Sequence, residues 1–170
     1  MRAETPSPRD HRYERYCRAL EHEPLPLAIV DLDALDHNLE ALLASARAGG
    51  KTLRIASKSV RCPDLLRYLL DRGRGALRGL MAYSCAEARF LASRGFDDLL
   101  IAYPTAQPSD ARLVAEANPQ GARVSLAVDC TTHLAVASRA AVELGATIPV
   151  ILDVDVSYRA LGGREHVGMR

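Results

Sequence analysis

The chain alternates between short apolar runs and longer amphipathic stretches. Six runs lack the strict every-other-residue alternation of a sheet with one wet face: 27–32, 52–57, 79–84, 98–103, 123–129 and 148–156. Runs of that kind suit parallel strands covered by helices. The stretches between them carry helical spacing. Leu35, Leu39, Leu42 and Leu43 make one apolar face, with Asp33 as the expected cap. Pro63 opens a helix through Leu65, Leu66, Leu69 and Leu70. Three more are expected over Ala86–Ser93 (closed at Gly95), about Ser109–Ala117, and about Thr132–Leu144 with Gly145 as the stop. Ahead of the repeat, Arg9–Glu21 suits a short helix broken at Pro24 and Pro26.

Strand and helix thus recur at a period of roughly 20–26 residues, a βα repeat. Two architectures fit: a doubly wound open sheet, or a (β/α)8 barrel cut short. The doubly wound fold usually carries a glycine-rich phosphate turn after its first strand. Here that turn is Asp31-Leu-Asp-Ala-Leu35, with no glycine. The expectation is therefore α/β, an incomplete (β/α)8 barrel with about six of its eight strands. Residues 1–24 form an extension with a short helix, and residues 25–170 form the partial barrel.

Composition narrows the function. Hydrophobic residues are 48% and charged residues 25% of the chain, as in ordinary soluble proteins, and the net charge is +1. Nucleic acid is not an expected partner, because no general basic field exists. No apolar run approaches a membrane span and the N-terminus lacks the apolar core of a signal peptide, so a cytoplasmic location is expected. Cys17, Cys62, Cys85 and Cys130 are widely spaced with no C-x-x-C and read as reduced thiols. His11, His22, His37, His133 and His166 show no paired ligand spacing, so no metal is expected. Among 22 basic residues only Lys51 and Lys58 are lysines.

Sites of parallel α/β folds sit at the carboxyl ends of the strands. Read in order, those ends carry Asp31, Ser57-Lys58, Tyr83-Ser84, Tyr103, Asp129, and Asp153 and Asp155 with Arg159 beyond. Lys58 follows Leu53, Ile55 and Ala56, so its ammonium would leave an apolar wall and meet Arg61 and Arg159. Desolvation and neighbouring cations both favour the neutral amine, the form that attacks a carbonyl. A solvated rim lysine is the bland alternative, and position alone favours it. Tyr103 and Asp129 are placed only by the strand reading, and a structural hydrogen-bonding role suits each as well. Cys62, Cys85 and Cys130 could approach the mouth, though small buried core thiols are the more ordinary reading. Gly162-Gly163-Arg164 could cup a phosphate or form a plain turn.

Four motifs occur in order: Asp31-Leu-Asp-Ala-Leu-Asp-His-Asn38, Ala56-Ser-Lys58, Cys85-Ala-Glu-Ala88 and Asp153-Val-Asp-Val-Ser-Tyr-Arg159-Ala-Leu-Gly162. The series resembles the N-terminal barrel of pyridoxal-phosphate enzymes of the alanine racemase fold type, nearest the D-threonine aldolase and D-serine dehydratase branch. The resemblance covers about residues 25–165. It implies pyridoxal 5'-phosphate held covalently as an aldimine on Lys58, the catalytic lysine. It also implies Arg159 beside the cofactor's phenolic oxygen, and Tyr103 joins them as a cofactor-binding residue by its strand position. A plain alanine racemase fits less well, because Ser59-Val-Arg-Cys62-Pro63 follows the lysine where racemases have a nearby tyrosine. His often stands two residues before the lysine in the aldolase branch, where this chain has Ala56. The expected function is a lyase or isomerase acting on a small, D-configured amino acid, with aldolase, dehydratase or racemase outcome. The resemblance also implies a C-terminal β domain beyond Arg170, little activity for residues 1–170 alone, and a homodimer for a full-length form. Two alternatives stay open: a non-catalytic pyridoxal-phosphate homeostasis protein of the same barrel, and a cofactor-free Schiff-base aldolase.

Overall fold

Five parallel strands form one sheet in the computed structural model, which describes residues 8–118 and 121–154. The strands are β1 (Leu53–Ala56), β2 (Leu77–Ala82), β3 (Asp98–Ile101), β4 (Arg123–Val128) and β5 (Val150–Leu152), hydrogen-bonded in the order β1-β2-β3-β4-β5. Sequential order decides between the two architectures. A doubly wound sheet reverses its strand order partway, whereas here every crossover steps the same way. Right-handed crossovers that never reverse leave all their helices on one face, as in a (β/α) barrel wall. The sheet is a partial barrel, as expected.

Each crossover contains a helix whose ends follow local chemistry. A single turn, α3 (Ser57–Val60), follows β1 directly, and α4 (Pro63–Arg72) starts with proline in its first turn. Next come α5 (Cys85–Ser93), α6 (Pro108–Ala117) and α7 (Thr131–Leu144). Gly145 ends α7 in the left-handed conformation with its N–H on Ala141 and Val142 carbonyls, the role expected of it.

The core lies between sheet and helices. Leu80, Ala82, Leu99, Ile101, Val124 and Leu126 point from the strands, and Leu66, Ala88, Leu91, Val114 and Ala137 meet them from the helices. The register pairs Leu80 with Leu99, Leu99 with Val124, and Ile101 with Leu126, so one pleat row faces the helices. The alternate row, Met81, Leu100 and Ser125, turns to the other face and is only half-buried.

The chain divides into two compact units, Met1–Leu35 and Asp36–Arg170. In the first unit α1 spans Pro8–Leu20, and α2 (Leu32–Ala48) begins at its end. Two expectations change here. Residues 27–31 form no strand, although Ile29 and Val30 favour one; among the described residues no ladder includes them, and a parallel strand exists only through its ladder. The cap of α2 is Asp31, not Asp33: its Oδ1 accepts the Ala34 N–H at 3.1 Å, and Asp33 falls inside the first turn. Of the expected sixth strand, 148–156, the described part forms β5 at Val150–Leu152, paired among the described residues with β4; residues 155 and 156 lie outside the described residues.

Candidate active site

Lys58 stands one residue into α3, immediately beyond β1, at the carboxyl end of the sheet. Lys51 precedes the other end of β1. Two contacts fix the turn that carries Lys58. Ser57 is fully buried, and its hydroxyl lies 2.8 Å from Glu87 Oε1 and 3.1 Å from the Met81 carbonyl. At the far end Arg61 takes a left-handed backbone, φ 49°, and its Nε donates to the Lys58 carbonyl at 3.0 Å. The lysine backbone is therefore pinned on both sides while its side chain stays free to react.

The amine itself points to a phenol. Lys58 Nζ donates to Tyr103 Oη at 3.0 Å, and the Tyr103 and Tyr83 rings meet edge to face with centroids 5.4 Å apart. Glu87 organises this side as well. Its Oε2 accepts the Tyr83 N–H at 2.7 Å, while Ser84 caps α5 by accepting the Glu87 N–H at 3.2 Å. This is a capping box shifted by one residue. One carboxylate thus ties the Lys58 turn to the Tyr83 loop. Lys58, Arg61, Pro63, Tyr83, Glu87 and Phe90 line a cavity of about 440 Å³, large enough for a small ligand.

The electrostatics differ from the expectation. The Tyr103 hydroxyl, as hydrogen-bond acceptor, raises the Lys58 amine above its usual range, and the slight desolvation does not offset it. Of the features expected to favour the neutral amine, the apolar wall does not act, because the amine is exposed, and Arg61 is spent on a backbone carbonyl. Among the described residues, the resting site holds an ammonium on a phenol.

The remaining candidates scatter. Asp31 belongs to the first unit, where the Tyr16 hydroxyl, the Ala34 N–H and the Arg15 guanidinium hold its carboxyl below the usual range. Asp129 follows β4 directly and pairs with His133. Cys85 is a buried core thiol pushed up to about 12 by burial, as its ordinary reading required. Cys62 and Cys130 are exposed, so the core reading fails for them: each lies just outside the sheet, as the residue preceding a helix. Asp155, Arg159 and Gly162-Gly163-Arg164 lie outside the described residues. No described helix is long and apolar enough to cross a membrane.

Three features went unread in the sequence: the α3 turn, Glu87, and the meeting of Cys130 with His133. Ser84-x-x-Glu87 has capping-box spacing and could have revealed the second. Asp129-Cys130-x-x-His133 places the histidine one helical turn after the thiol and could have revealed the third.

Comparison with known proteins agrees with the partial-barrel fold. The family model described as alanine racemase, N-terminal domain, matches residues 30–166. D-threonine aldolase of an Arthrobacter species is 29% identical over 137 residues, covering 81% of this chain and 35% of that protein. 3-Hydroxy-D-aspartate aldolase of Paracoccus denitrificans is 28% identical over 130 residues, 76% of this chain and 33% of that protein. The chain therefore spans about a third of the length of these relatives. Among solved structures, D-threonine aldolase from Filomicrobium marinum superposes with a TM-score of 0.69 at 25% identity, over 85% of this chain and 37% of that one. D-threo-3-hydroxyaspartate dehydratase from a Delftia species shares the fold, with a TM-score of 0.70 at 23% identity over 88% and 37% of the two chains.

Proposed function

This chain belongs to the alanine racemase N-terminal domain family, and we propose that it is the cofactor-binding barrel segment of a pyridoxal-phosphate enzyme acting on a small β-hydroxy-D-amino acid. The observation that carries the reading is Lys58: a primary amine on a pinned turn at the carboxyl end of the sheet, facing a cavity of about 440 Å³. The residues fit the group at its aldehyde end. An exposed amine can reach a carbonyl, and the Tyr83–Tyr103 pair offers an aromatic wall beside it.

When bound, pyridoxal phosphate supplies the electron sink that weakens a bond at the substrate α-carbon. The protein's part is to present the amine and manage its proton. Tyr103 Oη accepts from Lys58 Nζ and keeps the resting amine charged, so attachment waits for that proton to leave. The buried Ser57–Glu87 hydrogen bond keeps the turn from shifting when the amine does. Arg159 is assigned to the cofactor's phenolic oxygen by its place in the Asp155-Val-Ser-Tyr-Arg159 motif. The relatives named above act on D-threonine and 3-hydroxy-D-aspartate, both β-hydroxylated, which supports that substrate class.

The test is chemical labelling of the full-length protein. Loading with pyridoxal phosphate followed by borohydride should leave the reduced label on the peptide holding Lys58 and none on Lys51. A label on another lysine would refute the assignment.

A further inference from the structure

Apart from the lysine site, three donor atoms converge where β4 passes into α7. Asp129 is the first residue after the strand, Cys130 is the extended residue before the helix, and His133 sits in its first turn. Their donor atoms all lie within 4.8 Å of one another. His133 Nδ1 is 2.7 Å from Asp129 Oδ1 and 3.3 Å from Cys130 Sγ.

The arrangement is not a nucleophilic triad. In a triad the thiol and the carboxylate bind opposite ring nitrogens, so the carboxylate can orient the base. Here both face the same Nδ1. Nor can hydrogen bonds within the cluster pair both groups with a neutral ring, because one nitrogen cannot donate to the carboxylate and accept from the thiol at once. A metal ion resolves this by accepting an electron pair from each.

We propose that Asp129, Cys130 and His133 bind a borderline-soft divalent transition ion of the zinc class. Carboxylate, thiolate and imidazole are its ligand types, and the soft sulfur disfavours calcium and magnesium. Usual bond lengths in a tetrahedron place nitrogen about 3.5 Å from sulfur and about 3.3 Å from oxygen. The observed 3.3 and 2.7 Å need shifts of about 0.2 and about 0.6 Å, the larger one available to an exposed carboxylate by rotation. Deprotonated thiol and carboxylate balance the dication, and the proton of the thiol is released on binding. Three protein ligands leave a fourth position open to water or a small ligand. The site does not depend on the cofactor reading.

The experiment uses full-length protein stripped with a chelator and titrated with Co²⁺. The expected result is a thiolate-to-cobalt charge-transfer band in the near ultraviolet with the visible bands of a tetrahedral ion. Cys130→Ser should remove that charge-transfer band, while Cys62→Ser leaves it. His133→Ala should weaken Co²⁺ binding by about tenfold or more. In a second measurement, Zn²⁺ should slow alkylation of Cys130 by iodoacetamide and leave Cys62 unaffected, which needs no variant to fold. A charge-transfer band unchanged in Cys130→Ser, or no thiolate band at all, would overturn the proposal. So would equal alkylation of Cys130 with and without Zn²⁺.

Discussion

The two ends of the sheet handle charge in opposite ways. At the amino end, Asp98 sits between Arg54 (Nη1 to Oδ1, 2.9 Å) and Arg123 (Nη2 to Oδ2, 3.3 Å), and Arg54 also reaches the Asp98 and Leu80 carbonyls. The Arg54 side chain crosses β2 over Gly79, whose φ of 65° and missing Cβ leave the passage open. Charges there are matched and stitched into the backbone. At the carboxyl end, the Lys58 ammonium meets a phenol and, among the described residues, no carboxylate, while Glu87 is committed to Ser57 and Tyr83. The amino end is closed by ion pairs and stabilises; around Lys58 the carboxyl end keeps, among the described residues, a cation without a carboxylate, which can react. That division matches the usual split of a (β/α) barrel between a stabilising amino face and a functional carboxyl face.

The sharpest way to break the contrast is at Gly79. Gly79→Ala drives a Cβ into the Arg54 guanidinium and the Asp98 backbone at a positive φ. It should cost about 3 kcal/mol, read as a lowered denaturant midpoint. No loss of stability would mean that the amino-end network is not held as described. Next comes Glu87→Ala, which leaves the Tyr83 N–H without its acceptor and the buried Ser57 hydroxyl with the Met81 carbonyl alone. About 2 kcal/mol of stability should go with it, together with slower cofactor loading. Glu87→Gln keeps an acceptor and should fall between; equal behaviour of the two variants would deny the carboxylate a positioning role.

Asp98 tests the amino end through pH. Burial alone would raise its carboxyl, yet the hydrogen bonds and charges of Arg54 and Arg123 outweigh that and hold it low. A depressed folded-state value means stability that is present above the unfolded carboxyl value of about 3.9 and lost as pH falls through the folded one. Asp98→Asn should therefore cost about 1 kcal/mol at neutral pH and nearly nothing in strong acid. A pH-independent difference would remove the ion pairs from the account.

The smallest effect is expected at Tyr103. Tyr103→Phe removes the acceptor that keeps Lys58 charged. The pH profile of cofactor loading should then move to lower pH. A move upward, or none, would show that the phenol does not control the amine.

Elements with a plain local signal were readable in the chain. Pro63 and Gly145 bound the helices they were expected to bound, and the runs around Leu80, Leu99 and Leu126 became strands in sequential order. What failed depended on neighbours distant in sequence. Residues 27–31 have strand composition but no ladder among the described residues, and residues 148, 149, 153 and 154 of the sixth run lie outside the Val150–Leu152 ladder to β4. Asp31 looked like a mouth carboxylate until Arg15 and Tyr16, fifteen or so residues earlier, engaged it. Lys58 was legible as the reactive lysine candidate by its rarity and place. Its charge state was not, because that is set by Tyr103, 45 positions away.

The central claim is that Lys58 anchors the cofactor at the carboxyl end. Full-length protein should be loaded with pyridoxal phosphate, dialysed and read by visible absorption beside its Lys58→Ala and Lys58→Arg variants, with thermal melts confirming that all three fold. Both variants should lose the bound-cofactor absorption, the arginine because it keeps the charge but cannot form the covalent link. Retention of that absorption by a folded Lys58→Ala protein would contradict the account.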